Sequence, residues 1–219
     1  MKINKLIIDS SDSMTDLCKL GVKYPTDKSP YVVHDGHRHP YMAVYDMLFM
    51  SLRYKPIKFA EGGIAENMSM KCWREYFPYA ELHGFEYSEE YMNKALNDNL
   101  ENTTYHFMDV NNPQSIVECL DGTGGNFDVI IDDMIHDLPH NTLFAYHAYR
   151  YLKPGGYLIV EDIFRSTDED DFAKNFEPLE PYFSSMTFIV TEHKNRYSPG
   201  WDNDKLLVLC RNEKIWKNS

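Results

Sequence analysis

Two apolar runs in this chain end on carboxylates, and that pattern constrains the fold more than any other feature. Phe127-Asp128-Val129-Ile130-Ile131 runs into Asp132-Asp133, with His136 close behind. Gly155-Gly156-Tyr157-Leu158-Ile159-Val160 runs into Glu161-Asp162. Short apolar runs bounded by turn residues read as strands buried on both faces, as in parallel sheets. Ligands in such sheets bind at the carboxyl ends of strands. If the two strands are neighbours, their ends lie about 5 Å apart. Carboxylates that close cannot all stay ionised unaided, so either a cation joins them or some pKa values rise. A hard-metal site with a histidine beside it is the leading expectation.

The rest of the chain supports a sheet of that kind. Strands are expected over 58–61, 80–86, 103–109, 128–132 and 157–160, alternating with helices over 68–76, 88–99, 113–120 and 142–151. Ser88 is placed as an N-cap, and Pro113 near a helix start. A further helix is expected over 170–179. Strands over 186–190 and 205–210 flank a long polar loop and read as an antiparallel edge pair. Ahead of the alternation come a helix over 12–20 with Ser11 or Ser13 as N-cap, a turn-rich segment over 24–40, and a helix over 41–52. Residues 1–5 lead into a short apolar run that ends at Asp9. The sum is an α/β fold: a doubly wound, mostly parallel, seven-stranded sheet with a C-terminal antiparallel hairpin.

Composition narrows the function classes. A chain of 219 residues suits one α/β domain, and 43% hydrophobic residues are enough for its core. The formal net charge of −12, without a Lys/Arg cluster, argues against nucleic acid and anionic membranes as partners. Cys18, Cys72, Cys119 and Cys210 are scattered without C-x-x-C spacing, which argues against a zinc site or disulfide scaffold. They fit a reduced cytoplasm. No apolar run approaches the roughly 18 residues needed to span a bilayer, and no signal peptide is visible. A cytoplasmic protein is expected; a homo-oligomer is left open.

The order of elements resembles class I S-adenosylmethionine-dependent methyltransferases, and one group of them in particular. Tyr24-Pro25-Thr26-Asp27-Lys28, then His39-Pro40-Tyr41 and Tyr45, resembles the opening of metal-dependent sugar O-methyltransferases of the mycinamicin and macrocin type. Trp73-Arg74-Glu75-Tyr76-Phe77-Pro78 is similar to a helix end of that group. Ile131-Asp132-Asp133-Met134-Ile135-His136 resembles its "IDDGSH", and Leu152-Lys153-Pro154-Gly155-Gly156 with Val160-Glu161-Asp162 its "LKPGG…IED". The chain departs from the group's cofactor loop, where Asn67 and Met68 replace glycines, and Met134 replaces a glycine in the acidic loop. Glu86 stands where Asp is usual.

The resemblance implies a Rossmann-like methyltransferase fold, with residues 1–219 as a single methyltransferase domain and residues 1–50 as an N-terminal helical and loop cap or lid over the site. It implies S-adenosylmethionine as cofactor, and Mg²⁺ or another hard divalent cation held by Asp133, Glu161 and Asp162. That all-oxygen set suits such cations. His136 is the expected general base, a neutral imidazole near a metal-polarised hydroxyl. Glu61, Gly63, Glu86, Asp109, Thr26, Lys28 and Asp132 are the expected cofactor-binding residues. Glu86 suits two ribose hydroxyls, Asp109 the adenine amino group, and Glu61 the methionine amine. Asp132 faces the cofactor or only orients its loop.

Bland readings stand beside these. Strand-end acids are often solvated or cap the next helix, and Asp109 competes as a helix cap. His136 could be a surface loop histidine. Thr26, Asp27, Lys28, His37 and His39 could form a lid or a solvated loop. Tyr41 with Tyr45, and Trp73 with Phe77, have the i, i+4 spacing of ordinary packing. The acceptor implied is a sugar hydroxyl on a glycan or glycosylated small molecule. The alternatives are a metal-dependent hydroxylase or hydrolase on the same frame, with His140 as a further ligand, or a non-catalytic cofactor- or glycan-binding module.

Overall fold

The computed structural model describes residues 3–212, and the alternation read from the sequence closes there into one sheet. Its strands are β1 (Ile3–Asp9), β2 (Lys58–Gly62), β3 (Glu81–Glu86), β4 (Thr103–Phe107), β5 (Phe127–Asp132), β6 (Leu152–Ile163), β7 (Phe183–Glu192) and β8 (Lys205–Arg211). Their spatial order is β1-β7-β8-β6-β5-β2-β3-β4. β8 alone is reversed, antiparallel to both β6 and β7. Among the described residues the sheet therefore has eight strands rather than seven. The extra strand is β1, which pairs in parallel with β7 from Ile3↔Met186 to Asp9↔Glu192. An edge strand with one partner needs only a short apolar run, too weak a periodic signal to separate from a leader segment.

The helices are α1 (Asp16–Lys23), α2 (Met42–Phe49), α3 (Met68–Tyr76), α4 (Glu89–Asp98), α5 (Pro113–Gly122), α6 (Leu138–Ala148) and α7 (Glu169–Phe176). Ser88 caps α4 as expected, accepting from the Tyr91 N–H. α1 starts later than expected and is capped by Thr15, not by Ser11 or Ser13. α6 also starts earlier than expected, at Leu138, because Asp137 caps it through the His140 N–H. No helix of the described residues is long and apolar enough to cross a membrane.

Alternation along the strands divides the core in two. Phe59, Val129, Ile131 and Ile159 face Leu17, Tyr45, Phe49, Trp73 and Phe77. Ala60, Ile130, Leu158 and Val160 face Ile116, Phe144, Phe172 and Phe176. Strands buried on both faces are the reason the runs read as continuous apolar segments. The same alternation fixes which way each carboxylate at a strand end points.

Candidate active site

β2, β5 and β6 are neighbours, with Gly62 beside Asp132 and Asp132 beside Val160. The next position on each strand is therefore Gly63, Asp133 and Glu161. Gly63 is required there. Its φ is +82°, and a Cβ on it would lie 1.9 Å from the carbonyl oxygen of Asp133. At Glu161 and Asp162 the pairing of β6 with β8 slips, and Asp162 takes a φ of +56°. A bulge of this kind re-aims a side chain next to a functional site. Here it turns Asp162 into the cleft that also exposes Asp133 and His136.

One ligand atom from each of Asp133, His136 and Asp162 lies within 4.8 Å of the others, a spacing a single cation could bridge. The His136 Nε2 is 3.9 Å from an Asp162 oxygen, and its Nδ1 is 4.0 Å from Asp133. Burial pushes the His136 pKa below the usual histidine value, so the ring is neutral at pH 7. Glu161 sits behind this group. One of its oxygens accepts from the Tyr45 hydroxyl at 2.5 Å, and the other from the Lys28 ammonium at 2.6 Å.

Lys28 is 2% exposed and also contacts Asp133, with Glu61 at 3.5 Å. Burial alone would lower its pKa, but Asp133, Glu161 and Glu61 outweigh that and hold it well above the usual lysine range. One ammonium cannot neutralise three neighbouring acids. Burial raises the Asp133 pKa well above the carboxylate range and that of Glu161 to about 7, against the pull of Lys28. The segment 24–40 delivers this lysine. Its backbone carbonyl accepts from the N–H groups of Tyr41 and Met42 at the start of α2, and the Asp27 carbonyl accepts from the His39 N–H at 2.6 Å.

His39 stacks on Tyr41 and bonds Asp204 at 2.7 Å, with its Nε2 3.9 Å from Asp162. Burial opposes its charge, yet Asp162, Asp204 and Asp27 raise its pKa to about 9. His37 stacks on His39 and bonds Ser198. Sequence reasoning gave Tyr41 and Tyr45 to packing. Tyr41 donates to Asp162 at 2.6 Å and Tyr45 donates to Glu161, so both hold acids of the cluster. Asp204 was missed entirely, and no local signal marks it. The signal for the tyrosines was their i, i+4 spacing directly after His39-Pro40.

The other expected residues separate into three groups. A cleft of about 330 Å³ runs from Glu86 and Asp109 at one end, past Gly63, to Asp133, His136 and Asp162 at the other. One Glu86 oxygen accepts from the N–H groups of Tyr87 and Ser88, and the other from Ala65. Asp109 accepts from Asn111. Thr26 and Lys28 line a smaller recess of about 60 Å³ that shares Gly63, Asp27 and Asp133 with the cleft. Glu61 and Asp132 line neither. Glu61 is buried and accepts from Ser69 at 2.7 Å and from the Trp73 indole. Asp132 points to the other face of the sheet, where it accepts from Asn141 at 3.0 Å, and burial raises its pKa to about 7. His140 is held by Asp137 and Asn111 at the start of α6, not beside the acids. In the loop after β2 Asn67 takes a φ of +66° and Ala65 one of +43°. Asn enters the left-handed region more readily than most residues, so the turn forms without the glycine.

Known proteins share this frame. The mycinamicin VI 2''-O-methyltransferase of Micromonospora griseorubida is 28% identical over 159 residues, 68% of this chain and 36% of that protein. The 8-demethyl-8-(2-methoxy-alpha-L-rhamnosyl)-tetracenomycin-C 3'-O-methyltransferase of Streptomyces olivaceus is 24% identical over 168 residues, 74% of this chain and 40% of that protein. The chain thus spans less than half the length of these relatives. The solved MycE methyltransferase from the mycinamycin biosynthetic pathway, in complex with Mg, SAH and mycinamycin VI, superposes with a TM-score of 0.65 at 16% identity. That match covers 90% of this chain and 55% of MycE, and it shows a common fold. Residues 61–205 match the family described as "Methyltransferase domain", a stretch that holds Gly63, Glu86, Asp109, Asp133, His136 and Asp162. The chain belongs to the methyltransferase-domain family.

Proposed function

We propose that the chain is an S-adenosylmethionine-dependent, divalent-metal-dependent O-methyltransferase acting on a sugar hydroxyl of a glycan or glycosylated small molecule. The observation that carries this reading is the single cleft joining Glu86 and Asp109 to Asp133, His136 and Asp162. One end offers carboxylates to hydroxyl and amine donors, and the other offers hard oxygen ligands beside a neutral base. The named sugar O-methyltransferase relatives support the acceptor class.

S-adenosylmethionine, when bound, supplies an electrophilic sulfonium methyl. A divalent cation, when bound, supplies acidity and orientation to an acceptor hydroxyl. Asp133 and Asp162 would hold that cation. Glu161 would join them by sharing the oxygen it now gives to Tyr45 or Lys28. His136, which lines the cleft, takes the acceptor's proton on a ring nitrogen. Lys28, Tyr41 and Tyr45 hold the acids in place, and Glu86 orients the nucleoside end of the cleft. Residues 1–50 serve in part as a cover: Lys28 and His39 close over the acids, while β1 within the same stretch belongs to the sheet.

Calorimetric titration with S-adenosylhomocysteine, with Mg²⁺ and then with EDTA, tests the reading. Micromolar binding, followed by metal-dependent methylation of a member of a sugar panel, is expected. Binding without turnover on any acceptor would instead favour a cofactor-binding module. Turnover indifferent to EDTA would remove the metal from the mechanism.

A further inference from the structure

Among the described residues β1 is the outermost strand of the sheet, and its outer edge is unusually apolar. Leu6 is 48% exposed and Ile7 70% exposed, and the strand carries no proline or bulge over its paired length. An edge strand presents half of its N–H and C=O groups outward. Chains that remain single usually blunt such an edge with charges, bulges or a covering element. Lys5 and Asp9 are the charges on this one, and they lie two positions on either side of Ile7.

That placement makes the strand complementary to itself. In an antiparallel pair of two β1 strands centred on Ile7, Ile7 faces Ile7 and Leu6 faces Ile8. Lys5 then faces Asp9. Every pair is like with like or opposite in charge, the pairs that stabilise a ladder. Shifting the centre to Leu6 sets Lys5 against Ile7 and Asn4 against Ile8, and loses both charge pairs. Lys5 now lies 2.8 Å from Glu169, which also holds Lys205 at 3.0 Å; the Lys5 side chain is itself exposed and free to take a second partner.

We infer that this face joins two copies of the chain through antiparallel β1–β1 pairing centred on Ile7, making one continuous sheet of the two. The arrangement is independent of the reaction catalysed. The cleft opens at the ends of β2, β3, β5 and β6, beyond the far side of β7 and β8, and stays open in the pair.

Sedimentation velocity on the full chain is expected to show a concentration-dependent dimer, and Ile7→Lys, at an exposed position, to shift it to monomer with an unchanged circular dichroism spectrum. Lys5→Asp is expected to weaken the dimer and Lys5→Asp with Asp9→Lys to restore it. Ile7→Cys is expected to form a reducible cross-linked dimer under mild oxidation, above the background of the four native cysteines. Leu6→Cys, which faces Ile8, is expected to cross-link far less. A monomer at every concentration, a dimer insensitive to Ile7→Lys, or equal cross-linking from positions 6 and 7 would overturn the inference.

Discussion

The ammonium of Lys28 lies 2.6 Å from the carboxylate of Glu161, and both groups are buried. Residues 133 positions apart in sequence thus form an internal ion pair at the carboxyl end of the sheet. Removing one partner of a buried pair leaves the other charge uncompensated, at a cost of roughly 3–5 kcal/mol. Lys28→Met should lower the melting temperature clearly. Added Mg²⁺ should recover more stability in this variant than in the unsubstituted chain, because the acids then lack their own cation. Melting curves with and without Mg²⁺ check both points. An equal response to the ion in the two proteins would count against a shared acid cluster.

Metal affinity should depend on Asp133 and Asp162. Asp133→Asn and Asp162→Asn should each weaken Mn²⁺ binding at least tenfold, read by electron paramagnetic resonance of the free ion. Glu161→Gln should cost less, since its oxygens are occupied by Lys28 and Tyr45. The order of the three variants is the result that matters.

His136→Gln should lower turnover by roughly 10²–10⁴, the usual worth of a positioned base. S-adenosylhomocysteine affinity should be unchanged. Burial depresses this histidine, so the acid limb of turnover against pH should fall below the ordinary value of 6.5. The substituted protein should lose that limb. A limb that survives in His136→Gln would assign the base elsewhere.

Gly63→Ala should fail where most glycine-to-alanine changes are mild. The residue needs φ of +82°, and its new Cβ would meet backbone, the carbonyl oxygen of Asp133, rather than a movable side chain. Loss of S-adenosylhomocysteine binding together with a lower melting temperature is expected. Asn67→Gly, at a position already left-handed, should retain binding.

Acid should destabilise the protein through a pair remote from the cleft. His83 on β3 and His106 on β4 are bonded at 2.9 Å. Burial, then His83 and Lys58, push His106 down to about 4, and burial lowers His83 as well. Between about 6.5 and 4 the unfolded chain takes up protons that the folded chain refuses. Stability therefore falls as pH drops through that window, by up to ~1.4 kcal/mol per pH unit for His106, and the lowered His83 acts in the same direction. His106→Gln should flatten the slope of melting temperature against pH.

Much of this architecture is legible along the chain. The runs ending at Asp132 and Glu161 are strands because their two-sided burial demands continuous apolar sequence, and Ser88 and Pro113 mark helix starts through local backbone chemistry. The acidic strand ends, His136, and the sites of Glu86 and Asp109 are legible for the same reason. Other contacts are not. Nothing local distinguishes Glu61, which turns inward to Trp73, from Asp133, which faces the cleft. Asp132 and Asp133 are adjacent in sequence, yet the alternation of the strand end sends them to opposite faces.

By itself, then, the sequence determined the order of helices and of strands from β2 onward and the acids at the strand ends, because periodicity and capping act over a few residues, and its motifs carried the resemblance to the family. Only the tertiary structure decided that β1 joins the sheet, that Lys28 enters the acid cluster, that Tyr41 and Tyr45 hold Asp162 and Glu161, and that Asp204 backs His39. Those pairings close loops of up to 183 residues, from Asp9 to Glu192 and from Lys28 to Glu161. They are chosen by which charges and apolar faces must be buried together, a condition set by the whole fold rather than by any one segment.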